Sequence, residues 1–558
     1  MSGYSARIRG SAGIPAARLA PWLTGAIVSL VLLASVAKDI DLPGVYMDAV
    51  NPDYLVVSIL NPGREIEAWT LPGNLIAGRF PVLTSLYHGT GQTWLALPFF
   101  ALLGTSVVTL RLVHGFFACA ILICATMVLR RAGLKEVAIA AVGIALAVDP
   151  SFVFAFRTQT YITLAPVAWL LGSFLALARA GADGTPRRWL LVSGGAYGLA
   201  FFGYFIYLFY LPAVLFAVLA WPTPSGVAGP HWRRIVPGTI GMCLGASAYP
   251  IGYALVALHY GSLGGLLDYV VATQKALGVM QSSLDLGGRV AYAWHMVTSV
   301  THNWWQYSMM FGAQASLPGA QTKTWLLTAV PIGLWLASEA RRTAGIHLRV
   351  VIASGCSFFL LSLAFGSRLG GHHYAALLVL GYLGLALGTT ALVRKRDDPA
   401  PSWRCAWVAL PMAVLLAFSL QGQTEVRSKL RETGGVGLLS DAIDRFAADA
   451  RREHRKDFYY LPDWGLWMPF AFLTGGEIGF ATLPDVTRAR EMLCRGRDVH
   501  LALVNADRGR RIADWTRELE WADPVVVPYR QRDGVAVFEI ATYRSEPAGS
   551  AGERCRPR

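Results

Sequence analysis

Long apolar runs recur along this sequence and leave little room between them for soluble domains. A helix that crosses a bilayer needs about 20 predominantly apolar residues. Runs of that length, or close to it, fall at 21–37, 106–129, 136–148, 161–178, 189–204, 205–221, 236–257, 324–338, 349–366, 374–393 and 404–420. Only 15% of the residues are charged, fewer than in ordinary soluble proteins. The sequence therefore predicts a mostly α-helical, polytopic transmembrane bundle with about eleven spans.

Basic residues are distributed unevenly between the loops. One set of alternate loops holds most of them: Arg7, Arg9, Arg18, Arg130, Arg131, Lys135, Arg179, Arg187, Arg188, Arg233, Arg234, Arg341, Arg342, Arg349, Arg394, Lys395, Arg396 and Arg404. The opposite short loops hold only Arg157 and Arg368. Because cytoplasmic loops are enriched in Arg and Lys, we predict a cytoplasmic N-terminus and a periplasmic C-terminus in a bacterial cytoplasmic (inner) membrane. The net charge of +14 then reflects topology and anionic headgroups, and no motif points to nucleic acid.

The first apolar run has a second interpretation. Residues 1–20 are positively charged, and Ser35-Val36-Ala37 resembles a signal-peptidase site, so a cleaved signal peptide is the alternative. An uncleaved first span agrees better with the alternation of charge, because an odd number of spans then separates the two termini.

Three regions are expected outside the membrane. Within the transmembrane part, residues 1–421, these are the outer loops 38–93 and 258–323. The second loop is rich in aromatic residues around Trp304 and Trp305, a pattern typical of an interfacial helix and compatible with a substrate groove. The third is the polar tail 422–558, with helical patterns at 438–452, 485–493 and 508–518 and strand-like runs at Asp457–Leu461, His500–Asn505, Pro524–Val527 and Val535–Tyr543. We predict a small α/β extracytoplasmic domain there, and Cys494 and Cys555 can pair if that compartment is oxidising.

The sequence lacks the motifs of the common soluble enzymes. It has no GxxxxGK[ST] phosphate loop, no HExxH, no GxSxG and no Cys/His array with metal-binding spacing. An ATP-driven pump is therefore not expected. The ionisable residues of the predicted outer loops become the candidates for chemistry.

Two acidic residues of the first outer loop, Asp48 and Asp53, are the first candidates. Asn51 and Pro52 suit the N-cap and first residue of a short helix that runs from Asp53 to Leu60. Asp53 can then complement the helix dipole, and the helix N-terminus can also receive a phosphate. Asp48 precedes this cap and is not explained by it. A carboxylate just outside the membrane is a candidate general base.

Two later outer turns carry further candidates. Asp149 and Arg157 lie on one, and Arg368, His372 and His373 lie on the other. The alternative for each Arg is an interface residue whose stem lies along apolar surface, and for the His pair a surface position at headgroup level. All three turns are predicted to face one compartment. Carboxylate, guanidinium and imidazole groups there can handle a phosphate leaving group and an acceptor hydroxyl.

Several short motifs follow one another in a characteristic order. After Asp48 come Arg79-Phe80-Pro81, Tyr87-His88-Gly89, Leu102-Leu103-Gly104-Thr105-Ser106 and Leu110-Arg111-Leu112. Together they make the stretch from Leu42 to Arg131 resemble the GT-C membrane glycosyltransferases, which include protein O-mannosyltransferases and lipid A aminoarabinose transferases. Phe156-Arg157 is similar to that family's second outer loop. The segment from Arg368 to Tyr374 is similar to its late Arg…His-Tyr segment.

The resemblance implies a GT-C transmembrane fold over residues 20–420, followed by an outer soluble domain. It implies an inverting glycosyltransferase that moves a sugar from a polyprenyl phosphate to a hydroxyl of a lipid, glycan or protein acceptor. Asp48 would take the acceptor's proton, and a divalent cation is a candidate cofactor. The implied substrate-binding residues are Asp53, Arg79, His88, Asp149, Arg157, Arg368, His372 and His373.

One feature departs from that family. Many of its members carry two adjacent acidic residues in the first loop, whereas this chain has Asp48-Ala49. The departure argues against a metal site of the usual form and leaves Asp48 as the best base. The rival hypothesis is a secondary transporter or flippase, which would place ionisable residues near the bilayer midplane; a non-catalytic assembly or sensor protein is a third. The predicted spans carry few charges apart from Arg111, which favours the enzyme.

Overall fold

A computed structural model describes residues 16–61, 71–158, 164–182, 186–222, 231–277, 283–302, 304–313, 317, 319–393, 404–504, 506–545 and 555. The predicted cytoplasmic charges Arg7, Arg9, Arg394, Lys395 and Arg396 lie outside these residues. So do Pro62 and Gly63, which were expected to stop the short helix of the first outer loop.

The predicted helical bundle is confirmed as a mostly helical fold. Its apolar helices are Ala16–Ala37, Gly91–Leu103, Val107–Arg131, Glu136–Ala147, Ala165–Ala182, Pro186–Gly203, Leu211–Ala220, Trp232–Gly245, Ala248–His259, Ala329–Ala340, Ile346–Ser362, Ala375–Val393 and Arg404–Thr433. Between them lie the helices Met47–Val50, Val56–Leu60, Pro150–Val153, Ala155–Thr158, Leu263–Leu277, Leu286–Thr301, Trp304–Phe311 and Ala320–Leu327. The 3₁₀ turns are Asp53–Leu55, Phe205–Tyr210, Gly366–Arg368, Gly371–Tyr374 and Gly437–Leu439.

Four helices of the described residues are individually long and apolar enough to cross a membrane: Ala20–Ala37, Val107–Arg131, Gly371–Val393 and Ala406–Thr433. A pair bent by 46°, Trp232–Gly245 with Ala248–His259, can supply a fifth span, and further apolar helices are shorter. The count of about eleven therefore stays a prediction. The apolar run at 324–338 is broken at Thr328. Pro331 explains the break, since a proline ring clashes with the carbonyl four residues earlier, here that of Leu327.

The helices Pro186–Gly203 and Trp232–Gly245 pack with their backbones in contact. A Cβ atom added to Gly241 would lie 2.1 Å from the carbonyl oxygen of Leu191, and one added to Gly245 would lie 2.3 Å from that of Gly195. Small residues four apart allow this close approach. The packing fixes the outer end of the first helix, where Tyr204 begins the next segment.

The first outer loop folds into two small antiparallel ladders. Leu75–Ile76 pairs with Phe80–Pro81, and Leu83–Ser85 pairs with His88–Gly89. An isolated bridge then joins His88 to Tyr204. This bridge ties the first outer loop to the helical bundle at the level where the candidate residues gather.

The predicted helix from Asp53 to Leu60 is present as a 3₁₀ turn, Asp53–Leu55, that continues into the helix Val56–Leu60. The prediction of Asn51 as its N-cap is wrong. Pro52 takes the cap position, and no side chain caps the turn. The physical reason is that Asn51 ends the preceding helix, Met47–Val50, where its backbone N–H donates to the Met47 carbonyl.

The tail forms a five-stranded mixed sheet in the order Gly479–Ala481, Phe458–Tyr460, Val499–Leu503, Ala536–Tyr543, Val525–Arg530. The first three strands are parallel and the last two pairings are antiparallel. Its helices are Ala442–Glu453, Trp467–Leu473, Val486–Cys494 and Arg508–Leu519. Sequence patterns anticipated these elements except the strand Gly479–Ala481 and the helix Trp467–Leu473. The latter carries Pro469 and is apolar throughout, so it shows no helical periodicity.

Two other features link the tail to the rest of the chain. The helix Arg404–Thr433 runs without interruption past residue 421, where the sequence suggested a boundary. Cys494 and Cys555 form a disulfide, which holds the end of the chain against the helix Val486–Cys494.

The tail packs directly on the segment that leads to Asp48. The backbone N–H of Gly44 donates to the Leu439 carbonyl at 2.8 Å, and that of Val45 donates to the Asp444 carboxylate at 3.2 Å. The indole N–H of Trp464 donates to the Tyr46 hydroxyl at 3.0 Å. The tail thereby holds the backbone just before the candidate base.

Candidate active site

Asp48 is half-buried in the short helix Met47–Val50 and is surrounded by phenol rings. Burial raises the pKa of Tyr46 to about 12, and the nearby Asp48 charge contributes to that rise. Burial and the same charge also raise the pKa of Tyr87. Asp48 acts electrostatically on Tyr204 as well. Its carboxylate therefore lies within electrostatic reach of tyrosines of the first outer loop and the bundle.

Three histidines gather beside these tyrosines and form what we call the imidazole cluster: His88, His372 and His373. The His88 ring lies 4.3 Å from the Tyr204 ring, centroid to centroid. The rings of His372 and His373 lie 4.0 Å apart. Tyr204 Oη lies 3.1 Å from His373 Nε2. Tyr204 thus connects Asp48 with all of the predicted histidines of the site.

The imidazole of His88 is neutral near neutral pH. Burial, and then the neighbouring His373, lower the pKa of His88 well below its ordinary value. A neutral imidazole offers one donor and one acceptor nitrogen but no fixed positive charge. A charged phosphate at this place would therefore need a guanidinium or ammonium group from elsewhere.

Trp305 fixes the connection that carries His372 and His373. Its ring centroid lies 5.6 Å from that of His372. A Cβ atom added to Gly371 would lie 2.6 Å from the Trp305 ring, so only glycine fits there without displacement. The second outer loop thereby shapes the turn Gly371–Tyr374.

Arg368 lies four residues before the histidine pair, in the turn Gly366–Arg368, and its side chain is exposed. No hydrogen bond or ion pair joins it to another side chain within the described part of the chain. Its guanidinium is therefore available to a ligand near the connection that carries the histidine pair.

The structure places four predicted site residues away from this cluster. Asp53 is fully buried, and its Oδ2 atom lies 2.7 Å from His114 Nε2 and 2.8 Å from Gln92 Nε2. Arg79 donates from both Nε and a terminal nitrogen to the Ile59 carbonyl at the end of a short helix. Asp53 thereby ties the first outer loop to the helix Val107–Arg131, Arg79 holds the loop itself, and contact of either residue with a substrate stays a prediction.

Asp149 is also fully buried, in an ion pair that the sequence did not suggest. Lys323 Nζ lies 2.6 Å from its Oδ2 atom, and the Tyr382 hydroxyl donates to the same oxygen at 2.7 Å. The backbone N–H of Ser151 donates to Oδ1 at 2.8 Å. Every oxygen of this carboxylate is occupied by protein, so Asp149 ties the second outer loop to the bundle.

Arg157 is fully buried, and its terminal nitrogens donate to backbone carbonyls. Its two terminal nitrogens donate to the carbonyls of Val36, Lys38, Asp39 and Leu42, at 2.6 to 3.0 Å. Arg111 and Arg427 bind carbonyls of the same segment. Three guanidinium groups therefore clamp the chain where the helix Ala16–Ala37 ends. These contacts engage both terminal nitrogens of Arg157, whereas its Nε has no hydrogen-bond partner within the described residues, and its contact with a phosphate stays a prediction.

Sequence reasoning did not name Tyr204 as a site residue. It named Trp305 only within an aromatic cluster. Neither carries a motif, since a Tyr or Trp at the end of an apolar run is also what an interface anchor looks like. Only the fold brings them to Asp48 and His372.

An apolar cavity of about 350 Å³ lies inside the bundle. Its walls come from the helices Leu286–Thr301, Ile346–Ser362 and Ala375–Val393, with Pro331 and Ile332. The last two helices flank the connection that carries Arg368, His372 and His373, and the first leads toward Trp305. The cavity therefore lies in the part of the bundle directly attached to the imidazole cluster.

A metal ion does not suit the surroundings of Asp48. Within the described residues, one group of three side chains brings possible ligand atoms within 4.8 Å of one another, and it consists of His454, Asp457 and His500 in the tail. Asp48 is followed by Ala49 and is not part of such a group. The protein is compatible with a divalent cation, but we derive no step at Asp48 from one.

The comparisons with known proteins agree on the fold. No protein-family profile and no curated protein matches the sequence. Among solved structures, ArnT from Cupriavidus metallidurans bound to undecaprenyl phosphate is similar with a TM-score of 0.56 and 14% identity, over 96% of this chain and 99% of that one. Its apo state gives a TM-score of 0.54 and 15% identity, over 97% and 100%. The oligosaccharyltransferase of Archaeoglobus fulgidus gives a TM-score of 0.48 and 12% identity, over 92% of this chain and 70% of that one. The two ArnT structures show that this chain shares their fold, as the resemblance to membrane glycosyltransferases implied.

Proposed function

We propose that the protein is an inverting glycosyltransferase that moves a sugar from a polyprenyl-phosphate donor to an acceptor hydroxyl at the outer face of a bacterial cytoplasmic membrane. The observation that carries the proposal is the placement of Asp48 beside Tyr204, which in turn contacts His88 and His373. A base and hydrogen-bonding imidazoles are thereby connected, and an exposed arginine lies four residues before the histidine pair.

The chemistry is a single displacement. Asp48 accepts the proton of the acceptor hydroxyl while its oxygen bonds to the anomeric carbon. The bond from that carbon to the phosphate oxygen breaks, and the electron pair leaves with the lipid phosphate. Attack opposite the leaving group inverts the anomeric centre. Because His88 is neutral, we assign charge stabilisation of the phosphate to Arg368 and hydrogen bonding to the imidazole cluster.

The apolar cavity supports a lipid-linked donor. A sugar nucleotide would need a site for its base and diphosphate, and the sequence has no motif for one. An isoprenoid chain instead needs apolar surface at membrane depth, next to a polar site for its phosphate. ArnT with undecaprenyl phosphate is one of the similar structures. We therefore propose a polyprenyl phosphate as the carrier, with a lipid, glycan or protein as the acceptor.

The orientation belongs to the same proposal. We propose a cytoplasmic N-terminus and a periplasmic tail, which the distribution of Arg and Lys supports. The Cys494–Cys555 disulfide is a second support, because disulfides persist in oxidising compartments such as the periplasm. We also propose 1–421 as the transmembrane part and 422–558 as the soluble one.

The test is sugar transfer by the purified protein with polyprenyl-phosphate sugars. Asp48→Asn should abolish transfer while leaving membrane insertion and thermal unfolding unchanged. Asp41→Asn, an exposed acid in the same loop, is the matched control and should keep activity. Full activity of Asp48→Asn would overturn the proposed base. Mass spectrometry of co-purified lipid would identify the carrier.

A transporter or flippase is the second candidate. The buried pairs Asp149–Lys323 and Asp53–His114 give it some support, since paired ionisable groups mark transport pathways in many carriers. Reconstituted vesicles separate the two functions. Flipping of a lipid-linked sugar that survives Asp48→Asn, without any transfer product, would favour the transporter.

A further inference from the structure

We propose that His454, Asp457 and His500 form a binding site for a divalent transition-metal ion such as Zn²⁺, separate from the Asp48 pocket. Asp457 Oδ2 lies 2.9 Å from His454 Nδ1 and 3.0 Å from His500 Nε2. Two imidazoles and a carboxylate are a ligand set that zinc accepts, with a fourth position left to water.

The spacing of the three ligand atoms suits the ion. Zinc binds nitrogen and carboxylate oxygen at about 2.0–2.2 Å in a tetrahedron, so its ligand atoms lie about 3.3 Å apart. The two separations from Asp457 Oδ2 are a few tenths of an ångström shorter, and all three ligand atoms lie within 4.8 Å of one another. His454 can supply the difference by a small rotation, because its side chain is 39% exposed and it follows the end of a helix.

The surroundings of the group resemble the outer shell of a metal site. His500 Nδ1 lies 2.9 Å from Thr542 Oγ1, and the Tyr459 ring stacks on the imidazole at 4.3 Å. These contacts fix the ring with Nε2 directed at Asp457, as partners of metal-binding histidines commonly do. Arg497 donates to the backbone carbonyl of Asp457 at 3.2 Å and holds the turn.

Charge also favours a cation here. His454 is the C-cap of the helix Ala442–Glu453, where the helix dipole favours positive charge. Of the flanking basic residues, Arg451 and Arg455 share one counter-ion, Glu477.

The place of the group in the fold indicates what the ion would do. Asp444, near the start of the same helix, accepts from Val45 of the first outer loop, whereas His454 follows the helix end. Ten helical residues separate them by about 15 Å. An ion bound at His454 would cross-link the helix to the strands Phe458–Tyr460 and Val499–Leu503. It would stabilise the tail and take no part in chemistry at Asp48.

The experiment uses the full-length protein in detergent micelles, with any affinity tag removed, after dialysis against a chelator. We expect about one Zn²⁺ per chain by calorimetry and elemental analysis, and a Tm that rises with Zn²⁺ concentration. Co²⁺ should give the visible absorption of a tetrahedral site. His454→Ala, at the exposed ligand, should weaken Zn²⁺ binding at least about tenfold.

The matched control is His231→Ala, an exposed histidine far along the chain from the group. It should bind Zn²⁺ like the unchanged protein. Asp457→Asn is a second ligand variant with nearly the same shape, and its unfolding without metal reports whether it folds. Equal Zn²⁺ binding by His454→Ala and the unchanged protein, or no binding by either, would overturn the site and leave a hydrogen-bonded His–Asp–His cluster.

Discussion

The hydroxyl of Tyr204 lies 3.1 Å from Nε2 of His373. The two residues belong to connections far apart in the chain, one before the turn Phe205–Tyr210 and one in the turn Gly371–Tyr374. Because Tyr204 also faces Asp48 and His88, this one hydrogen bond ties the proposed base to the imidazole cluster.

Tyr204→Phe should lower sugar transfer by roughly fivefold, since loss of one hydrogen bond costs about 1 kcal/mol. The phenyl ring keeps the stacking on His88, so folding should be retained. Tyr260→Phe, at an exposed tyrosine, is the control and should leave transfer unchanged. Steady-state assays with a polyprenyl-phosphate sugar measure both. An unchanged rate in Tyr204→Phe would show that sugar transfer does not depend on the hydrogen bond between Tyr204 and His373.

Arg368→Ala should raise the KM for the lipid-linked donor about tenfold, with a smaller effect on kcat. The reason is that its exposed guanidinium is the proposed partner of the donor phosphate. Arg510→Ala, another exposed arginine, is the matched control. A donor KM equal to that of the control would remove Arg368 from the site.

Arg157→Lys should behave differently from Arg368→Ala. An ammonium group cannot make the four carbonyl contacts of the guanidinium, so the free energy of unfolding should fall by about 3 kcal/mol. The KM for the donor should stay unchanged in the folded fraction. Unfolding in detergent measures the first effect and initial rates the second. If Arg157→Lys were as stable as the unchanged protein but had a raised KM for the donor, Arg157 would instead be assigned to the donor phosphate.

The sequence was sufficient to group Asp48, His88, His372 and His373, because charge alternation placed their loops on one side of the membrane. It could not separate Arg157 from Arg368. A carbonyl and a phosphate oxygen are both acceptors for a guanidinium, and only the fold reveals which one is within reach. For the same reason, the sequence suggested Asp149 as a site residue. Its partner Lys323 comes from a distant segment with no pattern that links the two.

The fold was predicted with similar limits. Long apolar runs and the periodicities of the tail anticipated most helices and strands. Breaks such as Thr328 and the 3₁₀ turn Phe205–Tyr210 were not anticipated in position, since they depend on packing as well as on proline. The three-residue strand Gly479–Ala481 is too short to show an alternating pattern.

The Asp149–Lys323 pair allows a test of its structural role. Lys323→Met should destabilise the protein by about 3–5 kcal/mol, because it leaves a buried carboxylate without its counter-ion. The double variant Asp149→Leu with Lys323→Met should recover much of the loss. Unfolding of the single and double variants forms the double-mutant cycle. Arg349→Met, which removes an exposed pair with Glu339, should cost much less. Equal losses of unfolding free energy in Lys323→Met and in the double variant would contradict a coupled pair.

Stability should depend on the ionisation of Asp444, which binds the segment before Asp48. Burial raises the pKa of Asp444 to about 7, against opposing contributions from the Val45 N–H and Arg111. Below the ordinary pKa of 3.8 the carboxyl is protonated in both states. Between 3.8 and about 7 the unfolded chain ionises first, so the free energy of unfolding should fall as pH rises through this window and level off above it. Asp444→Asn keeps an acceptor for Val45 but does not titrate. Its Tm should therefore fall less than that of the unchanged protein between pH 4 and 7, whereas Asp268→Asn, at an exposed acid that does not act on Asp444, should preserve the full slope. Identical slopes in Asp444→Asn and the unchanged protein would show that another group sets the pH dependence.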